Sequence, residues 1–346
     1  MTRLLQTLSI VIYILIMSCT STTSGSNILP IPEIPETQPE KIQQVVIGYL
    51  PLDDWEFKAQ FSSIEWKYLT HINMSFARVK ADGTLNIESI RDRIQEVRET
   101  ARKHNVKVLI SLAKNGKGEF TAAINDPKAR KELVKQIIAF TKEYELDGFD
   151  IDYEEYDKWD VYFPSLLVFA KSLYDAKDKE MLMTCAVNSR WLKLGTEWQQ
   201  YFDYINLMSY DRRAFTETPI QHASYDDFVK DLEYWNTVCM APKDKIVGGL
   251  PFYGYSWDES LKDIVDDVRG IRYHTILEHL GTKAAELDVI DKTYYNGRPT
   301  IRKKCKFVKE NGYAGVMIWQ LFQDAHNNNQ DLKLIKAVGE TIILSH

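Results

Sequence analysis

Eight short apolar runs recur between residues 45 and 321, and longer amphipathic stretches separate them. The runs are VVIGYL (45–50), THINMSFA (70–77), VKVLISLA (106–113), LDGFDIDYE (146–154), MLMTCAVN (181–188), FDYINLMSYD (202–211), KIVGGLPFYGY (245–255) and AGVMIWQL (314–321). Each has a core rich in Val, Ile, Tyr or Phe, bounded by polar or turn residues. That is the pattern of a strand buried on both faces.

The stretches between the runs carry helical spacing. Residues 88–104 place Ile90, Ile94 and Val97 on one face. Residues 126–144 open with Asp126 as N-cap and Pro127 at the first helical position, followed by Leu133, Ile137, Ile138 and Phe140. Residues 300–312 begin with Thr300 and end with Asn311-Gly312, a start and a stop signal. Strands alternating with helices over about 300 residues predict one parallel α/β domain, a (β/α)8 TIM barrel with little or no insertion domain. It would occupy residues 45–346, and the gap at 253–313 is long enough for a small extra element at the barrel mouth. A doubly wound open sheet is the alternative, but GYLPLDDW after the first run lacks a GxGxxG loop.

The N-terminus reads as export machinery rather than fold. Arg3 precedes an apolar stretch from Leu8 to Met17. About ten apolar residues are too few to span a bilayer but suit the core of a signal peptide, here residues 1–18. Ile16-Met17-Ser18-Cys19 resembles a bacterial lipobox, so Cys19 is expected to be the lipidated first residue of the mature protein. An ordinary secretory signal is the competing reading. Residues 19–44 hold four of the eleven prolines and no periodic pattern, as a tether would. Thr20 is not the acid that resembles inner-membrane retention, so an outer-membrane lipoprotein is expected, on its periplasmic or cell-surface face. The lipid would be the only membrane contact.

Lys and Arg total 43 against 49 Asp and Glu, giving a net charge of −6. No basic stripe argues for nucleic acid. The seven His are scattered, with no HExxH and no Cys/His cluster, so neither a metal nor another cofactor is expected. Beyond Cys19, Cys185, Cys239 and Cys305 leave an odd count; Cys185, within MLMTCAV, reads as a small core residue. A monomer is expected.

The fourth run carries the chemistry. Side chains alternate along a strand, so Asp150, Asp152 and Glu154 share one face while Phe149, Ile151 and Tyr153 share the other. In a barrel the acids point inward, at the C-terminal end of a strand, where such folds build active sites. Burial and like charge both raise carboxyl pKa values, so at least one acid should hold a proton near neutral pH. Every tenfold displacement of a carboxyl's ionisation equilibrium costs about 1.36 kcal/mol, so the row needs a purpose. A solvated acidic face would need an exposed sheet, and a calcium loop would need a central Gly, whereas Gly148 precedes the acids.

DGFDIDYE (147–154) is similar to the DGxDxDxE signature of glycoside hydrolase family 18, the chitinases and related endo-β-N-acetylglucosaminidases. The resemblance runs over most of residues 45–325. GYLP and HINMSFA resemble the family's first two strands. LMSYD (207–211) resembles the Met-x-Tyr-Asp of the sixth, GGLPFYGYSW (248–257) the seventh and GVMIWQL (315–321) the eighth. The third strand departs, with Ser111-Leu112-Ala113-Lys114 where the family often shows SxGG.

The resemblance implies a retaining, endo-acting hydrolase of N-acetylglucosamine-containing glycans, foremost chitin. An endo-β-N-acetylglucosaminidase of N-glycan cores and a non-catalytic lectin of the same fold are the rivals. It further implies that Glu154 is the acid and base, that Asp152 orients the substrate N-acetyl group, and that Asp150 shares a proton with Asp152. Tyr210 would donate to the acetyl oxygen, with Asp211 nearby. Trp319 would floor the sugar subsite. Tyr49 and Ser111 match positions that hydrogen-bond the inner Asp and join Met208, Phe76 and Trp257 on the substrate-binding side. Trp55, Trp159, Trp191 and Trp257 follow predicted strands and suit a sugar groove; Trp66, Trp198 and Trp235 suit core or surface. Asp147 reads as structural, and Glu155, on the opposite face, as a bystander.

Overall fold

A computed structural model describes residues 44–155, 159–190, 196–212, 218–266 and 268–344. Residues 1–43, which include Cys19 and the expected signal and tether segments, and Trp191 lie outside the described residues, and of Trp159 only the backbone is described. All eight apolar runs form strands: β1 Val45–Pro51, β2 His71–Val79, β3 Lys107–Lys114, β4 Gly148–Asp152, β5 Leu182–Asn188, β6 Tyr204–Met208, β7 Ile246–Pro251 and β8 Gly315–Trp319. Each pairs in parallel with its sequence neighbours, and β8 pairs with β1, which closes the barrel. Closure leaves no free strand edge in the barrel.

The helices return along the outside. Asp126 caps Pro127–Glu143 by accepting from Lys128 N at 2.9 Å and Ala129 N at 2.8 Å, as its sequence signal predicts. Ile90, Ile94 and Val97 are buried under helix Arg91–Lys103. The helix expected from Thr300 begins earlier, at Arg298, with Pro299 in its first turn. The Thr300 hydroxyl donates instead to Asp288. Among the described residues no helix is long and apolar enough to cross a membrane.

The run at 245–255 divides. Its first half is β7, and its second half, Tyr253–Ser256, leaves the barrel for a four-stranded antiparallel sheet with Gly270–Arg272, Val289–Ile290 and Thr293–Tyr294. Helix Tyr273–Leu280 belongs to the same insertion. This is the small element that the gap at 253–313 allows for.

The two faces of β4 separate as alternation requires. Phe149, Ile151 and Tyr153 are buried in the apolar layer between barrel and helices. Asp150 points inside, in register with Ser111 on β3 and Thr184 on β5. Cys185, Cys239 and Cys305 are buried, Cys185 as the small core residue its run predicts. Trp66, Trp198 and Trp235 are buried, in agreement with a core role.

Candidate active site

The acids of β4 sit at two levels. Asp150 is fully enclosed, and four donors from four other strands converge on it. Tyr49 Oη and Ser111 Oγ each donate to Oδ2 at 2.7 Å. Thr184 Oγ1 donates to Oδ1 at 2.6 Å and Asn206 Nδ2 at 3.3 Å. Burial still lifts its pKa above the ordinary carboxylate value, because the donors only partly offset desolvation.

Asp152 stands one step nearer the mouth. It is buried, its Oδ1 has no hydrogen-bond partner, and among the described residues no hydrogen bond joins it to Asp150. Burial drives its pKa well up, and the charges of Glu154 and Asp150 add to the effect; Arg78 and Lys114 oppose it. Glu154 follows the strand and is exposed to the cleft. The protein packed around its carboxyl is the largest influence and raises its pKa, Lys114 pulls it down, and Asp211 pushes it up. Glu154 is therefore the carboxyl that can both reach solvent and carry a proton.

A cavity of about 270 Å³ opens over these acids. Asp152, Glu154, Met208, Tyr210, Asp211 and Trp319 line it, together with Phe76, Arg78, Ala113 and Lys114. Trp319 stacks on Phe76 with ring centres 5.8 Å apart and tilts against Tyr49 at 5.6 Å. A flat aromatic wall of this kind suits the C–H face of a pyranose ring. Tyr210 is buried with its hydroxyl 3.8 Å from Met317 Sδ, and burial raises its pKa far enough that it remains a donor. Gly249 permits that placement, since a Cβ there would come within 2.9 Å of the Tyr210 ring. Asp211 adopts a left-handed φ of +56°. Burial works against its charge, but the adjacent His222 and hydrogen bonds from Tyr253 and Tyr255 outweigh it and hold Asp211 below the usual range.

Residues 45–324 match the glycosyl hydrolases of family 18. The chain belongs to this family. A chitinase of known structure from Bacteroides thetaiotaomicron is 77% identical and aligns with a TM-score of 0.86 over 87% of this chain and 97% of that one. The chitinase ChiB from the chitin utilization locus of Flavobacterium johnsoniae is 30% identical, with a TM-score of 0.73 over 87% and 94% of the two chains. Probable chitinase 10 of Drosophila melanogaster is 22% identical over 79% of this chain, which spans only 15% of that protein's length.

Tyr49 and Ser111 hydrogen-bond the inner Asp150, as the resemblance implies, and neither is among the residues that line the cavity. Other residues stand elsewhere than expected. Trp257 is buried against Tyr255 and Tyr294 in the inserted sheet rather than in the cleft. It misleads because β7 is followed by a strand of a second sheet, not by a cleft loop. Trp55 is 79% exposed beside a different cavity. Asp147 accepts from Val108 N at 2.8 Å, a structural role as expected. Glu155 is no bystander: its carboxylate accepts from Gly118 N and Thr121 N at the start of helix Glu119–Asn125. Thr184 and Asn206 escape sequence reasoning, although each is a lone polar residue within an apolar run. Arg78 and Lys114, the basic wall of the cavity, carry no motif.

Proposed function

We propose that this chain is an endo-acting chitinase that cleaves β-1,4 bonds between N-acetylglucosamine units with retention of configuration. The observation that carries the reading is Glu154, solvent-accessible and of raised pKa, standing beside the enclosed Asp152 in a cavity walled by Trp319. Glu154 donates its proton to the bridging oxygen. The carbonyl oxygen of the substrate's own N-acetyl group attacks the anomeric carbon as that bond breaks, the substrate-assisted route open to this family. Asp152, in its ionised form, can accept the N-acetyl N–H and balance the positive charge that develops there. Tyr210 Oη donates to the acetyl oxygen. Water then attacks the anomeric carbon from the opened side, Glu154 takes its proton, and the acetamide is restored.

Turnover of chitin oligosaccharides by the wild type and Glu154→Gln tests this reading, with the product anomer read by NMR. Equal rates in the two proteins would sink it. Fully deacetylated oligomers should not be cut, since they lack the internal nucleophile. A high-mannose glycoprotein assayed in parallel separates chitin from N-glycan cores, and binding of chitin oligomers without any product marks a lectin.

We also propose that Cys19 is lipidated and tethers the barrel to the outer membrane. Arg3, the apolar stretch and the lipobox-like residues support this. Labelling with a fatty-acid analogue should depend on Cys19 and vanish in Cys19→Ala.

A further inference from the structure

A second cluster of ionisable side chains lies outside the catalytic cavity. Glu56 follows β1, His274 lies on the inserted helix and His326 follows β8. One ligand atom from each can be chosen so that all three lie within 4.8 Å of one another. The three segments are far apart in sequence, which explains why no spacing motif betrays them. Glu56 is 4% exposed and His274 5%, and His326 is partly buried. They line a cavity of about 560 Å³.

The arrangement is hard to explain as packing. Nε2 of His274 and Nε2 of His326 are both buried and have no hydrogen-bond partner. Their rings stack with centres 4.0 Å apart and planes at 25°. His274 Nε2 lies 3.4 Å from Glu56 Oε2. Two unpartnered imidazole nitrogens beside a buried carboxylate is a set of atoms short of a cation. The surrounding groups already have the orientation that metal-binding imidazoles need. Glu278 Oε1 lies 3.1 Å from His326 Nδ1 and favours a proton there, leaving Nε2 with its lone pair. His274 Nδ1 lies 3.2 Å from Thr275 Oγ1. Arg272 occupies only Oε2 of Glu56 and is shared with Asp54, and among the described residues no hydrogen bond reaches Oε1. Asp54, Glu56, Asp266 and Glu278 against Arg272 leave negative charge in excess around the cavity, which favours a cation.

We infer that Glu56, His274 and His326 form a binding site for a divalent ion of the zinc class, clamping the loops after β1 and β8 to the inserted helix. Two imidazoles and one carboxylate suit zinc, with a fourth position left toward the cavity. Harder ions such as magnesium and calcium prefer all-oxygen shells and are disfavoured. The site is separate from Glu154, so this inference stands or falls independently of chitin cleavage.

The test uses the untagged full chain, stripped with chelator and titrated with ZnCl2 by calorimetry and thermal melting. One ion should bind per chain, and Tm should rise by about 5 °C once free zinc exceeds its dissociation constant about a hundredfold. Co²⁺ in place of zinc should give the visible bands of a four-coordinate nitrogen and oxygen site, without thiolate charge transfer. His274→Ala with His326→Ala should lose stoichiometric binding and the Tm response, and Glu56→Gln should weaken both. If the double variant fails to fold, the wild-type Co²⁺ spectrum and Glu56→Gln still decide. No binding to the stripped wild type, or undiminished binding in these variants, overturns the proposal.

Discussion

Asp150 receives hydrogen bonds from Tyr49, Ser111, Thr184 and Asn206, whereas Asp152, two residues along the same face, has a buried Oδ1 with none. Both are enclosed, so burial alone does not separate them. What differs is the level of the barrel each occupies. At Asp150 the strands are in register, and polar side chains from the ring of strands can converge on one carboxylate. At Asp152 the ring is opening into the cavity, and its cross-strand neighbour on β5 is Ala186, which offers no side-chain donor. The lower level is a finished polar core, and the upper level is left unfinished, as expected where a substrate group supplies the missing partner.

Replacement of the outermost acid should have the largest effect of all. Glu154→Gln keeps the shape of the side chain and removes the proton it would deliver. A fall in kcat of about 10³-fold or more is expected, with little change in Tm. Steady-state turnover of a chitin tetramer and a thermal melt check both halves.

The two aspartates should then part company. Asp152→Asn should lower kcat/KM by about 10²-fold to 10³-fold, the scale for removing one group that stabilises developing charge. Its stability should hold or improve, because a carboxyl with an unmet oxygen is replaced by a neutral amide. Asp150→Ala should instead destabilise by about 3 kcal/mol, since it strands four buried donors. Urea unfolding of the two variants breaks the comparison if they lose equal stability.

The same contrast has a pH signature. The pKa of Asp152 is raised in the folded protein, so the native state holds its proton where the unfolded chain, near pH 4, has begun to lose it. Stability from this group is therefore complete below about pH 4 and is lost as pH rises through the folded value. Asp152→Asn should remove that decline, so its advantage over the wild type in Tm should widen between about pH 5 and pH 8. An unchanged difference across that range would show that Asp152 is ionised in the native state throughout.

How much of this was legible in the sequence depends on whether the information lies along one strand or between strands. Alternation within LDGFDIDYE suffices to put Asp150, Asp152 and Glu154 on one face and Phe149, Ile151 and Tyr153 on the other. The eight apolar runs suffice for eight strands. Thr184 and Asn206 are visible as polar intrusions, but their meeting at Asp150 depends on the register among β3, β4, β5 and β6, which no single run encodes. Glu155 faces away from the acids, as alternation says, yet it caps a helix that begins 36 residues earlier in the chain, at Glu119. Glu56, His274 and His326 are the extreme case, since only barrel closure and the insertion after β7 bring them together.

Lys114 gives the smallest and most discriminating prediction. It ends β3 at the point where the chain departs from the family's Gly-Gly, and it lines the cavity beside Glu154. Its positive charge favours the ionised form of Glu154 and so lowers the pKa that burial raises. In the proposed mechanism the cleavage step needs Glu154 protonated, so the alkaline limb of the kcat/KM profile should follow that pKa in the free enzyme. Lys114→Ala removes the opposing charge, and the limb should move to higher pH. Raising the ionic strength should shift the wild-type limb the same way, and should do less to the variant, because salt screens the charge that the substitution deletes. A limb that stays put in both experiments would mean that Lys114 serves the cavity by contact rather than by charge. A limb that moves to lower pH would mean that another group, and not Glu154, sets it.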